Sequence, residues 1–438
     1  MTSMKRIALA LTGGLAAATA AHADTTLTIA TVNNADMIVM QKLSGEFEKV
    51  NPGIHVQWVT LEENVLRQRL TTDITTNGGQ FDIMTIGLFE TPMWGKSNWL
   101  MPFSEPPASY DLNDVLPSVR AGLSYDGKLY ALPFYAESQM TIYRKDLFDK
   151  AGLTMPDQPT WAQIGEFAKK LNDPAHGVYG ICLRGKPGWG ENMGQITPVV
   201  NSYGGRWFDM DWRPQLTTEP WKTGVSMYVD LLRQYGPPGS TSNGYNEVLA
   251  LFAGGKCAMW DDATVSAGLL SDPKQSTVAD KLGYAHAPYG TVDKGNHSLW
   301  AWALAVPRSS KSPQAAQKFI YWATSKAYID LVAKTQGWVT VPPGTRASTY
   351  QNPEYLKAAP FAKITLEAIQ TADMNDATAQ KVPYRGISFV GIPEFQAFGS
   401  AAGQQIAAAI AGQKTVDAAL EASQALTEQA IREAGYPQ

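Results

Sequence analysis

Past residue 24 the apolar positions follow two alternating rhythms. "LTIATV" (27–32) is a short β-rich run that ends in Asn33 and Asn34. Met40, Leu43, Phe47 and Val50 then recur at helical spacing, which predicts an amphipathic helix stopped at Asn51-Pro52-Gly53. "IHVQWV" (54–59) is again strand-like, with Ile54, Val56 and Trp58 on one face. Leu66, Leu70 and Ile74 mark a second helix, ended by Asn77-Gly78-Gly79, and "FDIMTIG" (81–87) is a third strand, apolar enough to be buried on both faces. Strand, helix, strand, helix, strand at this spacing implies parallel pairing with helical crossovers. Ligands in such sheets sit at the carboxyl ends of the strands, here Asn33, Asn34 and the loop "LFETPMW" (88–94).

The α/β rhythm restarts after residues 129–148. A helix is predicted over 160–171, with Trp161, Ile164, Phe167, Ala168 and Leu171 on one face, and a strand over "VYGICLR" (178–184). Further helices are predicted at "ITPVVNSYGG" and 221–236, strands at 256–261 and 297–307, and one long helix over 312–335. The last 40 residues form alanine-rich helix broken at Gly412. The pattern is two α/β lobes with no low-complexity linker between them.

Composition agrees with a multi-domain globular chain: 438 residues, 44% hydrophobic and 17% charged. The first 23 residues stand apart. Lys5 and Arg6, a short apolar run and Ala21-His22-Ala23 make a secretory signal peptide, with cleavage near Ala23. No cysteine follows the apolar run, so no lipid anchor is expected. Losing Lys5 and Arg6 takes the net charge from −4 to −6, a poor balance for nucleic acid or an anionic membrane. Cys182 and Cys257 both sit in strand-like segments; they either pair or remain buried thiols. Neither they nor the scattered histidines have metal-ligand spacing, so no metal or other cofactor is expected.

"LRGKPGWGENM" (183–193) raises the chemical question. Its glycines lack the order of a phosphate loop, and Glu191 would repel an anion. No nucleophile elbow or metalloprotease motif occurs. Carboxylates such as Glu90, Glu137, Glu191, Asp261 and Asp262 would suit a glycosidase pair about 5 to 10 Å apart. The alternative, which the sequence favours, is that they accept hydrogen bonds from sugar hydroxyls, since an ionised carboxylate is acceptor-only and its bonds are charge-assisted. Trp189, Trp300 and Trp302 offer apolar faces for C–H groups; Trp300 and Trp302 share one strand face, where both can also be plain core.

Larger blocks are more specific. "FDIMTIG", "DGKLYALPFYAESQMTIYRKDLFDKAGL", "FAGGKCAMWDDATVSAG" and "WALAVPRSSKSPQAAQKFIYWATS" together resemble the family 1 extracellular solute-binding proteins, the maltose-binding-protein-like sugar-capturing subunits of ABC importers. "MWDDATVSAG", "GKPGWGEN" and "FVGIPEFQAFG" look further like the branch that binds the sugar alcohols mannitol and sorbitol. The resemblance covers essentially all of the chain after residue 23.

It implies an α/β fold of the type II periplasmic-binding-protein kind, with two discontinuous lobes around a ligand cleft: 24–136 plus 288–340, and 137–287 plus 341–438. Chain crossings between lobes are expected near "PFYAES", "SLWAWALAVP" and "WVTVPPGTR". It implies ligand contacts at Glu137, in a stretch where the family places a contacting glutamate, at Glu90, Asn33 and Asn34 after their strands, and at Asp262. Asp261 stands where the family has an apolar or aromatic residue. Arg385 departs from the pattern and either balances cleft carboxylates or faces solvent. The loop would bring Trp189 and Glu191 or Asn192 to the cleft wall. No cluster of Arg or Lys for an acidic sugar is evident. The implied protein is a monomeric periplasmic binder of a sugar alcohol, working by hinge closure with membrane permease subunits, and not an enzyme. A mono- or disaccharide binder, a chemoreceptor adaptor and a secreted carbohydrate-active enzyme are the alternatives.

Overall fold

The chain opens as its periodicity predicts. β1 (Thr25–Val32), α1 (Ala35–Val50), β2 (Ile54–Leu61), α2 (Glu63–Thr75) and β3 (Ile83–Ile86) follow in order in the computed structural model, which describes residues 24–104 and 106–437. The signal-peptide expectation lies outside the described residues. α1 starts where Asn34 accepts a hydrogen bond from the Met37 amide at 3.0 Å, and it buries Met37, Met40 and Phe47 against the sheet. α3 (Glu90–Lys96), α4 (Pro117–Gly122) and the short hairpin of β4 (Ser124–Tyr125) and β5 (Lys128–Leu129) lead to β6 (Leu132–Glu137).

Ser138 alone separates β6 from β7 (Gln139–Arg144). After these come α5 (Lys145–Ala151), α6 (Trp161–Leu171), α7 (Asn192–Ser202), α8 (Glu219–Tyr235), α9 (Tyr245–Ala253), β8 (Met259–Ala263), α10 (Ser266–Leu270), β9 (Leu282–His286) and β10 (Trp300–Ala305). The remainder is helical: α11 (Pro313–Ala323), α12 (Lys326–Gln336), α13 (Pro353–Ala358), α14 (Ala362–Thr371), α15 (Phe395–Ile410) and α16 (Val416–Glu433).

Two principal sheets result. One runs β2-β1-β3-β10-β6, with β1 parallel to β2 and β3, and β10 antiparallel to β3 and β6. The other runs β8-β7-β9, all antiparallel. The chain therefore leaves the first sheet at Glu137, enters the second at Gln139 and returns to the first at Trp300. A later segment passes behind β6, where the Ala136 amide donates to the Pro343 carbonyl at 3.0 Å. Helices cover both sheets, giving the mixed α/β, two-lobed architecture of type II periplasmic binding proteins.

Three local outcomes differ from the periodicity or decide what it left open. Residues 178–184 run alongside 256–259 with only an isolated bridge between Tyr179 and Cys257, because the next amide due to continue the ladder, that of Ile181, donates to the Tyr235 carbonyl at 3.3 Å, and the Cys182 amide donates to the Met259 carbonyl out of register. The predicted helix over 312–335 is two helices; Ser325 accepts from the Tyr328 amide and starts α12 afresh. Cys182 and Cys257 form a disulfide, with Cα atoms 5.7 Å apart.

Candidate functional site

A cavity of about 390 Å3 lies between the two sheets. Its walls come from the end of β1, the start of α2, the β6-to-β7 junction, the loop 184–191, the start of α9 and the inner face of β10. Of the residues expected from sequence, Asn33, Asn34, Glu137, Trp189, Glu191, Trp300 and Trp302 line it, whereas Glu90, Asn192, Asp262 and Arg385 do not.

The three tryptophans line the cavity and also enclose an arginine. Trp189, Trp300 and Trp302 surround the Arg67 guanidinium, whose carbon lies 4.0, 4.8 and 4.8 Å from their ring centroids. Each such cation–π contact is worth roughly 0.5 to 2 kcal/mol. Glu90 stands behind: one carboxylate oxygen accepts from Arg67 Nη1 at 2.6 Å and the other from the Gly87 amide at 2.9 Å. Glu63, one helical turn before Arg67, accepts from its Nε and Nη2 at 3.0 and 2.8 Å. Gly87 has no room for a side chain, since a Cβ would fall 2.0 Å from the Trp300 ring. An arginine is thus fixed in an aromatic box with two carboxylates, and its remaining edge faces the cavity wall.

Arg184 is fixed on the opposite side. Its Nε donates to Asp262 Oδ2 at 2.8 Å and its Nη1 to the Gly190 carbonyl at 3.1 Å. Asp262, fully buried, also accepts from Trp260 Nε1 at 3.0 Å and Gln195 Nε2 at 3.2 Å. Its acceptor capacity is spent on protein donors, so Asp262 orients Arg184 and Gln195 instead of facing the cavity. Asp261 points to the other face of β8, as strand alternation requires. Burial, reinforced by Asp262, holds the Asp261 carboxyl well above the ordinary carboxylate range.

Glu137 ends β6 opposite Trp300. It is buried, and its Oε2 has no hydrogen-bond partner among the described residues. Burial pushes its pKa well up; Arg184 opposes this, and Asp262 and Glu63 add to it. Glu191 accepts from the Tyr245 amide at 3.2 Å and lies 3.6 Å from both Arg184 and Lys186. Its pKa is raised to about 7 by burial and then by Glu63, against the two cations. Asn192 faces away: its amide donates to the Gly403 carbonyl at 2.9 Å and accepts from the Gly188 amide at 3.2 Å, tying the loop to α15. Arg385 is half-buried with Asp373 as its charged neighbour, away from the cavity carboxylates.

Sequence reasoning missed Arg67, Arg184 and Lys186 as wall residues, and with them Tyr135, Gln139, Gln195 and Tyr245. The expectation that no cationic cluster is present is corrected: three cations line the cavity, each held by carboxylates. The available signal was Glu63 and Arg67 at i and i+4, beside the apolar stripe of Leu66, Leu70 and Ile74. Three contacts cross the mouth between elements of the two sheets. Lys186 Nζ meets Glu62 at 2.7 Å, Asn246 donates to the Asn33 carbonyl at 2.8 Å, and Asn64 donates to the Pro187 carbonyl at 3.4 Å. The lobes are therefore closed over the cavity.

Residues 33–329 match the family model described as bacterial extracellular solute-binding protein. The chain is 57% identical to the mannitol-binding protein of Pseudomonas aeruginosa over 412 residues, 94% of each chain. It is similar to an ABC transporter solute-binding protein of Agrobacterium vitis solved with bound D-mannitol, at 58% identity and a TM-score of 0.93, covering 94% of this chain and 100% of that one. A solute-binding protein of Agrobacterium radiobacter in complex with ribitol matches at 25% identity and a TM-score of 0.82, covering 93% of this chain and 99% of that one.

Proposed function

The chain belongs to the bacterial extracellular solute-binding protein family, and from that premise we propose that it captures a sugar alcohol, a hexitol such as mannitol or sorbitol, for an ABC importer. The observation that carries this reading is a closed cleft lined for the most part by residues with hydrogen-bonding side chains, in a chain 58% identical to one that holds D-mannitol. A linear polyol has many hydroxyls and no flat ring. It needs acceptors and donors all round more than a stacking platform. Glu137 offers free acceptor capacity, and the tryptophans, engaged by Arg67, give the pocket shape and rigidity.

The mechanism follows from contacts made by both lobes. A ligand bridging Glu137 and the loop 184–191 to the β1 end and α2 interacts fully only when the lobes close, so it shifts the population to the closed state. The closed lobes then present their joint surface to the permease subunits. The lobes are 24–136 plus 288–340 and 137–287 plus 341–438, a division supported by β6 and β10 sharing one sheet and by α15 and α16 packing on α7 and α8. The protein acts as a monomer in the periplasm after loss of residues 1–23, and it returns its ligand chemically unchanged.

A thermal-shift panel of hexitols, pentitols, monosaccharides and disaccharides tests the reading. Stabilisation follows RT ln(1 + [L]/Kd), so about 2.7 kcal/mol is expected at a hundredfold excess over Kd. A shift with hexitols is the expected result. A shift with a disaccharide alone would replace the polyol assignment while leaving the family in place.

A further inference from the structure

The charges around the cavity do not balance. Arg67 answers Glu63 and Glu90, and Lys186 answers Glu62 at 2.7 Å and Glu191 at 3.6 Å. Arg184 answers Asp262, and Glu191 at 3.6 Å. These three cations are thus shared among five carboxylates. Glu137 is a sixth, and it enters no ion pair among the described residues; its Oε2 lacks even a hydrogen-bond donor. A buried carboxylate without a donor costs more than almost any other polar group, and the ligand is the natural supplier of one.

A neutral hydroxyl supplies a proton donor but leaves the excess charge in place. An ammonium supplies both: it donates to the carboxylate as a hydroxyl does and adds the Coulomb attraction of an ion pair in a site shielded from water. Building on the polyol reading, we infer that the cavity also accepts cationic sugar alcohols, hexitols carrying a primary amine in place of one terminal hydroxyl, with the ammonium on Glu137. The groups around that carboxylate agree with this: Asp262 and Glu63 face it from β8 and α2, Asp36 from α1 and Tyr245 from α9, with Arg184 as the opposing cation. The same excess of acid excludes hexonates, which place a second carboxylate in the cavity.

Calorimetric titration of the intact protein at pH 7 with D-mannitol, 1-amino-1-deoxy-D-mannitol and D-mannonate tests the inference. The amine is expected to bind about tenfold tighter than mannitol, from the ion-pair attraction added to a hydrogen bond that mannitol also makes, and mannonate to give no binding. In Glu137→Gln the amine-to-mannitol affinity ratio is expected to fall to one or below. Mannitol binding with an equal or weaker amine overturns the inference and leaves the polyol reading intact, as does a tenfold preference that survives in Glu137→Gln for the place given to the ammonium. Failure of both mannitol and the amine to bind removes the polyol reading itself.

Discussion

Glu137 and Asp262 are both buried carboxylates within reach of Arg184, yet their substitution should have opposite signatures. Asp262 is fully paired: removing it leaves Arg184 buried without its partner, and breaking such a pair typically costs about 3–5 kcal/mol. Asp262→Ala is therefore expected to lower the unfolding temperature of the ligand-free protein and to weaken binding through a misplaced Arg184. Glu137 is unpaired: removing it takes away a carboxyl group that the empty cavity buries without a partner, at a cost. Glu137→Ala is expected to leave the ligand-free unfolding temperature unchanged or raised, while hexitol affinity falls at least tenfold from loss of a charged acceptor. Thermal unfolding and calorimetry on the two variants separate the roles. A clear drop in ligand-free stability for Glu137→Ala would mean that its carboxylate serves the fold.

The loop 183–193 is held as an element between anchors on either side. Behind it the Cys182–Cys257 disulfide closes a loop of sequence separation 75, a constraint on the unfolded chain worth about 4 kcal/mol in the chain-entropy picture. The double variant Cys182→Ser, Cys257→Ser should lose stability of that order in denaturant unfolding, with hexitol affinity reduced much less. In front, Gly190 closes on α2 so tightly that a Cβ would lie 2.2 Å from Glu63 Oε1. Gly190→Ala should accordingly weaken hexitol binding, measured by titration, because the clash arises only when the lobes are shut. The sequence showed this loop as a glycine-rich turn carrying a tryptophan and an acid, and its periodicities revealed β1 to β3 with their crossovers, since each is a local pattern of buried positions. Arg67 in its box was not legible: Glu63 is four residues away, but Glu90 and the three tryptophans reach it only through tertiary packing. The sequence points to Asp262 as a direct contact, whereas in the structure it stands behind Arg184, because the strand pattern fixes which face a side chain takes and not which arginine will claim it.

At the scale of the whole molecule, closure itself should depend on pH. Glu191 is buried beside Glu63, which belongs to α2 across the cleft, and its pKa in the closed form is about 7 against an ordinary 4.5. Asp36, at the start of α1 and lining a small gap with Val265 and Gly268 of the opposite lobe, is likewise raised to about 7, chiefly by burial. Burial also holds Glu137 well above the ordinary carboxylate range. Opening the cleft returns water to these groups and removes Glu63 from Glu191, so their pKa values must drop towards the ordinary carboxylate range. The closed form then binds more protons than the open form between the open-state values and about pH 7, and linkage requires that closure be favoured as pH falls through that window. Above the window Glu191 and Asp36 are ionised in both forms, and their contribution no longer changes. Each group contributes about 1.4 kcal/mol per pH unit inside the window. The ligand-free protein is thus expected to become more compact between pH 8 and pH 5 in small-angle X-ray scattering, with a weaker change in Glu191→Gln. A hexitol donating hydroxyls to Glu137 and Glu191 stabilises their ionised forms in the closed state, so the liganded protein should stay closed across the same range. A ligand-free radius of gyration that does not move over those three pH units would show that the carboxylates are as buried in the open form as in the closed one.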